Sequence, residues 1–229
     1  MPIFKIDGEL VLFAHIPKTG GATVQSFFRN YTSVHMFDDR PQNPDFRCSP
    51  QHFHCEQLKT LLPFDWYAYK FTIIRNPYTR LVSEYRMRMR NKIADNVTVD
   101  PFDEWVDRAF NNYAKNPYIM DNHIRPQWQF VDDSFEIYQF EEGVPKIINK
   151  LQKRLLLPQI KAAIPHRQKG GNLQVSPSNE TLSSITDFYK EDFRRFNYTL
   201  SVCITFIYSI FFKSHAILAG GLSTFSIDL

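Results

Sequence analysis

Twice in this chain an apolar run ends in a turn rich in anion-binding residues and then continues as a helical pattern. The first instance is Leu10-Val11-Leu12-Phe13-Ala14 followed by His15-Ile16-Pro17-Lys18-Thr19-Gly20-Gly21-Ala22-Thr23. A continuous rather than alternating apolar run reads as a strand buried on both faces, as in a parallel sheet. Residues Ala22 to Asn30 can follow as helix. Small residues let backbone N–H groups wrap an anion, and the helix N-terminus adds partial positive charge. Lys18 adds a full charge. Such a strand, loop and helix commit the chain to an α/β fold that holds phosphate beyond the strand's C-terminal end.

The loop is not a Walker A motif, in which the lysine follows the second glycine of Gly-x-x-x-x-Gly-Lys-Ser/Thr. Here Lys18 precedes both glycines, so a magnesium-bound nucleoside triphosphate fits poorly. The second instance is Phe71-Thr72-Ile73-Ile74, closed by Arg75-Asn76-Pro77-Tyr78-Thr79-Arg80-Leu81-Val82-Ser83-Glu84-Tyr85. Asn76 suits an N-cap and Pro77 the first helical position. Leu81, Tyr85 and Met89 make a core-facing stripe, from which Ser83 points away. An arginine fork at the strand's end and a serine hydroxyl on the next helix suit a second phosphate. Two anion sites on one sheet edge imply a ligand with phosphates at both ends.

Pro17-Lys18-Thr19-Gly20-Gly21-Ala22-Thr23 resembles the 5′-phosphosulfate loop of the sulfotransferases. Arg75 with Ser83, inside Arg-Asn-Pro-x-x-Arg-x-x-Ser-x-Tyr, resembles their 3′-phosphate motif. Both are most similar to the branch of the carbohydrate 2-O-sulfotransferases and their small bacterial relatives. The likeness runs from about Leu10 to Tyr198. It implies a three-layer, P-loop-like α/β sandwich around a mostly parallel central sheet. It also implies 3′-phosphoadenosine-5′-phosphosulfate (PAPS) as sulfuryl donor, a carbohydrate hydroxyl as acceptor, Lys18 as a catalytic cation, and no metal.

Between the two motifs lies Cys48-Ser49-Pro50-Gln51-His52-Phe53-His54-Cys55-Glu56. Histidine is the side chain best suited to take a proton near neutral pH. In the 2-O-sulfotransferases a His-x-His pair between the motifs supplies the base, and His52 and His54 match it without revealing which does so. Two other readings stand beside this one. Cys48, His52, His54 and Cys55 are zinc-ligand types, though an adjacent His-Cys pair is awkward for one tetrahedral ion. A structural loop with backbone-satisfied histidines is the other.

Further along, Arg86, Arg88, Arg90 and Lys92 read as a solvated helix end, with Arg86 also a candidate for an anionic acceptor. Phe102, Trp105, Val106, Ala109, Phe110 and Tyr113 have the spacing of a core-facing helix. His123 and Arg125, in Asn122-His123-Ile124-Arg125-Pro126-Gln127-Trp128, lie in a loop similar to one the family sets near the acceptor. Ser134 to Phe140 alternates like a strand, and Glu141 to Leu155 reads as the helix after it. Arg167 and Lys169, in a late basic loop, match loosely the lid that sulfotransferases close over the nucleotide. Ser178 to Tyr198 reads as a capped helix with a stripe of Leu182, Ile185, Phe188 and Tyr189.

The chain has 229 residues, enough for one α/β domain with a full core. With 27 basic and 24 acidic residues its net charge is +3, too balanced for nucleic-acid binding. Three cysteines do not make a disulfide scaffold. Residues 1–198 are expected to be the catalytic domain and 199–229 an apolar tail. Leu200 to Phe212 is short for a membrane span and suits a packed or membrane-touching segment. The absence of an N-terminal signal pattern points to the cytoplasm. Sequons at Asn30, Asn96, Asn179 and Asn197 point instead to the Golgi lumen or membrane. The competing functions are a P-loop-type nucleotide kinase or NTPase, and a non-catalytic nucleotide-binding protein.

Overall fold

The computed structural model describes residues 1–37, 45–95, 97–159 and 173–199. Five strands form one mixed sheet in the order β3-β1-β2-β4-β5. They are β1 (Ile3–Ile6), β2 (Glu9–Ala14), β3 (His35–Met36), β4 (Tyr67–Ile74) and β5 (Glu136–Gln139). The centre is parallel, with β4 between β2 and β5, whereas β1 runs antiparallel to both β2 and β3. The buried run Leu10–Ala14 falls in β2, and a strand that its sequence does not signal as strongly, β1, precedes it. Its hairpin turns on Asp7-Gly8, at φ 49° and 91°, the double positive-φ geometry that Asp-Gly adopts readily.

Seven helices are described: α1 (Gly21–Phe28), α2 (Cys55–Leu61), α3 (Pro77–Ala94), α4 (Phe102–Lys115), α5 (Val144–Arg154), α6 (Asn179–Phe188) and α7 (Lys190–Arg195). Alternation along β2 sends Val11 and Phe13 to one face and Leu12 and Ala14 to the other. The first pair packs with Phe28 of α1, Phe71 of β4 and Ile147, Ile148 and Leu151 of α5. The second packs with Phe53, Leu58 of α2 and Phe130. Both sheet faces are thus covered, which makes the three-layer, P-loop-like sandwich. A third cluster joins Leu81, Tyr85 and Met89 of α3 to Trp105 and Val106 of α4 and Ile185 of α6.

Helix limits follow local chemistry. Asn76 caps α3 by accepting from Thr79 N at 3.2 Å, with Pro77 at the first turn. Ser178 caps α6 through Thr181 N at 3.1 Å. The single helix read over Ser178–Tyr198 breaks at Tyr189 into α6 and α7. The segment read as helix from Glu141 begins instead as a 3₁₀ turn, Phe140–Glu142, and α5 starts after Gly143 at φ 90°. Met1–Tyr198 forms one compact unit. Beyond Thr199 the tail lies outside the described residues, as do Arg167, Lys169 and Asn96. Among the described residues no helix is long and apolar enough to cross a membrane.

Candidate active site

The turn after β2 is shaped by contacts that only small residues permit. Gly20 caps α1 at φ +85°, and a Cβ there would sit 2.7 Å from Val144 Cγ2. A Cβ on Gly21 would fall 2.0 Å from the His15 imidazole, so this glycine lets that ring pack against the loop. Lys18 is itself left-handed at φ 70°, a strained conformation that native proteins tend to keep at functional sites. Its Nζ donates to Met87 Sδ at 3.3 Å. Thr19 is buried, its hydroxyl donating to Ile16 O at 2.8 Å.

The second motif docks against this loop. The Arg75 guanidinium donates through Nη1 to Lys18 O at 3.2 Å and through Nε to Thr79 Oγ1 at 3.1 Å. It also lies over the Phe140 ring at 4.4 Å. Gln127 clamps the Arg75 backbone, accepting from its N–H at 2.9 Å and donating to its carbonyl at 2.7 Å. Burial, reinforced by Arg80 and Arg86 against the pull of Glu141, lowers the Arg75 guanidinium to about 10. It remains cationic at neutral pH, but in a place where a bound anion would be favourable.

Three imidazoles line up beside these cations. His15 stacks on Phe13 and meets His52 edge-on at 5.1 Å, and His52 meets His123 edge-on at 4.9 Å. A carboxylate holds the Nδ1 of each of the last two. Asp121 Oδ2 is 2.8 Å from His52 Nδ1, and Glu84 Oε2 is 2.6 Å from His123 Nδ1. Glu84 is fully buried. Burial would raise its carboxyl, but His123, Arg88 and Lys18 hold it at about 2. Asp121 also meets burial, yet its hydrogen bonds from His52 and Ser49 keep it well below the carboxylate range.

Next to these groups lies one cavity of about 340 Å³, lined by Pro17, Lys18, Gly20 to Thr23, Arg75, Ser83, His52 and His123, with His15, Met87, Phe140 and Gly143 to Pro145. That volume lies in the usual small-ligand range, about 300–1,000 Å³. A family model described as Sulfotransferase family matches residues 3–199. The chain belongs to the sulfotransferase family. Likeness to the carbohydrate 2-O-sulfotransferase branch is consistent with that membership. Searches of curated proteins and of solved structures returned no significant match.

Several residues singled out in this sulfotransferase's sequence lie off the cavity. His54 stands at the N-terminus of α2, where its backbone N–H donates to Gln57 Oε1 at 3.3 Å, and it borders a separate pocket with Cys55, Lys59 and Trp128. Burial, aided by Arg125, lowers its pKa. The chain turns between the 3₁₀ segment Pro50–His52 and α2, so the two histidines of the pair part company. Arg125 is buried in hydrogen bonds to Asn122 and Gln129, and Arg86 donates to Leu173 O at 2.9 Å. The zinc set does not assemble either. Cys48 and Cys55 are buried free thiols, and among the described residues neither belongs to a cluster of three or more ligand-type side chains. Among the described residues, ligand-type atoms of His52, Asp121 and His123 do lie within 4.8 Å of one another. There the His52 and Asp121 atoms are already joined by the hydrogen bond between them.

Sequence reasoning passed over His15, Glu84 and Asp121, as well as the apolar wall of Met87, Phe140 and Val144. For Met87 a signal existed: it lies one helical turn beyond Ser83, on the same face.

Proposed function

We propose that this cavity binds PAPS and transfers its sulfuryl group to an acceptor hydroxyl, on a carbohydrate if the likeness to the 2-O-sulfotransferases extends to substrate. The observation carrying this reading is convergence: Lys18 with its loop, Arg75 with Ser83, and His52 with His123 all border one cavity. The donor set suits the ligand, since one cationic cradle answers a 5′-phosphosulfate and the other a 3′-phosphate.

In this scheme His52 takes the acceptor's proton as the acceptor oxygen bonds to sulfur. The bond from sulfur to the bridging phosphate oxygen breaks, and its electron pair stays on the phosphate. Lys18 and the loop N–H groups neutralise that growing charge, and Arg75 and Ser83 fix the nucleotide's far end. Positioning and electrostatics therefore supply the rate, with no covalent enzyme intermediate.

The test compares ligands, then turnover. Product nucleotide with 3′ and 5′ phosphates should raise the melting temperature well above the shift given by AMP, by binding the native state. Losing the 3′ contacts should cost about 1.5–3 kcal/mol each, the value of a charge-assisted hydrogen bond. Labelled PAPS with a panel of saccharides should then give labelled product. Equal shifts from both nucleotides would remove the 3′-phosphate assignment, and transfer from magnesium-ATP instead would point to a kinase.

A further inference from the structure

Asp121 belongs to neither phosphate motif and does not line the cavity, yet it is built in with unusual care. Met120, Asp121 and Asn122 adopt φ of 53°, 59° and 64°, three successive left-handed residues. For L-residues this conformation is disfavoured, and only glycine, asparagine and aspartate adopt it readily. The strain is held from both sides. Asn122 Nδ2 donates to His52 O at 2.9 Å. Asp121 accepts from Ser49 N at 2.5 Å and from Ser49 Oγ at 2.7 Å. The outcome of this bracing is one contact toward the site, the 2.8 Å hydrogen bond between Asp121 Oδ2 and His52 Nδ1.

We propose that Asp121 is a positioning residue for sulfuryl transfer, fixing the His52 ring and its tautomer so that His52 acts as the base. This rests on the reading of His52 given above. A carboxylate has no proton to donate at neutral pH, so the hydrogen must lie on His52 Nδ1. Nε2 then carries the lone pair, on the ring of a residue that borders the cavity. When His52 takes the acceptor's proton on Nε2 it becomes a cation, and Asp121 stabilises that charge without being protonated. Ser49 and Asn122 keep the carboxylate and the His52 backbone in register.

The groups facing His52 include Asp121 from the left-handed turn, His15 after β2, His123 from the following loop, and Cys48 and Ser49 from its own segment. Asp121 is the one carboxylate among them. Its removal should therefore lower the pH at which the ring protonates.

Asp121→Asn is the sharpest change, because asparagine keeps both the size and the tolerance of positive φ. The variant should bind 3′,5′-bisphosphoadenosine as the wild type does. Its kcat should fall by about 10²-fold or more, within the general-base range, and the acid limb of its pH–rate profile should move to lower pH. In a His52→Ala background the same change should cost nothing further, since Asp121 acts only through that ring. The wild type supplies a test that needs no variant: ¹⁵N spectra of the His52 ring should show a protonated Nδ1. An Nε2-protonated ring, or Asp121→Asn with wild-type kcat and an unmoved acid limb, overturns the proposal. If His52→Ala alone keeps wild-type turnover, what fails is the assignment of the base.

Discussion

Lys18 and His54 show how differently two sequence-salient residues can be used. Lys18 lines the cavity in a left-handed position, within reach of Met87 and of the field of Glu84. In the proposed transfer the bridging oxygen carries more charge in the transition state than in the bound donor, so Lys18→Ala should reduce kcat more than it weakens binding of PAPS. A change confined to KM would make the lysine a ground-state anchor only. His54, by contrast, is buried at the head of α2, and burial disfavours its cation. His54→Ala should therefore lower the melting temperature, by about 1 kcal/mol or more in stability, and leave kcat near that of the wild type. Measuring both quantities on both variants separates the roles.

The elements hold the site through close packing at their ends. Helix α1 begins where Gly21 meets the His15 ring, and a Cβ placed 2.0 Å from that imidazole forces either the ring or the loop to move. His15 in turn stacks on Phe13 and abuts His52. Gly21→Ala should thus lower both the melting temperature and turnover, whereas alanine on the open turn at Gly8 should affect only the former, through its φ of +91°. Where local chemistry decides, the sequence was readable: Asn76 and Pro77 announce α3, Ser178 announces α6, and the residues after β2 and β4 announce the turns that border the cavity. The β1 hairpin had its Asp7-Gly8 signal, but a four-residue strand interrupted by Lys5 is easily passed over. The lining of the candidate cavity was readable down to Ser83 and His52, since each belongs to a motif or lies near one. Asp121 was not, because its role depends on three left-handed residues braced by Ser49 and His52, 69 or more positions away. His54 was misplaced for the converse reason: spacing of two implies a shared side only in extended chain, and here a 3₁₀ turn gives way to an α-helix.

Across the whole molecule these polar contacts make acid stability a property of the site. Glu84 is buried in the folded chain with its carboxyl held at about 2, against an ordinary 4.5. Because the folded value is the lower one, its contribution is complete above the unfolded pKa and is lost as pH falls toward the folded one. A displacement of that size corresponds to about 3 kcal/mol. Asp121 is depressed as well and acts in the same direction. Asp192 acts in the opposite direction: burial raises its carboxyl even though Gln127 and Trp128 N–H groups donate to it, so it offsets part of the loss. Glu84 and Asp121 are joined through the His123–His52 ring contact, and their effects should not simply add. Thermal melts of the wild type and Glu84→Gln across pH make the test. The wild type should be the more stable at neutral pH, and its advantage should shrink between about pH 4.5 and pH 2. A gap that stays constant over that interval would mean that Glu84 supports the fold by shape and hydrogen bonding alone, and that its charge contributes nothing.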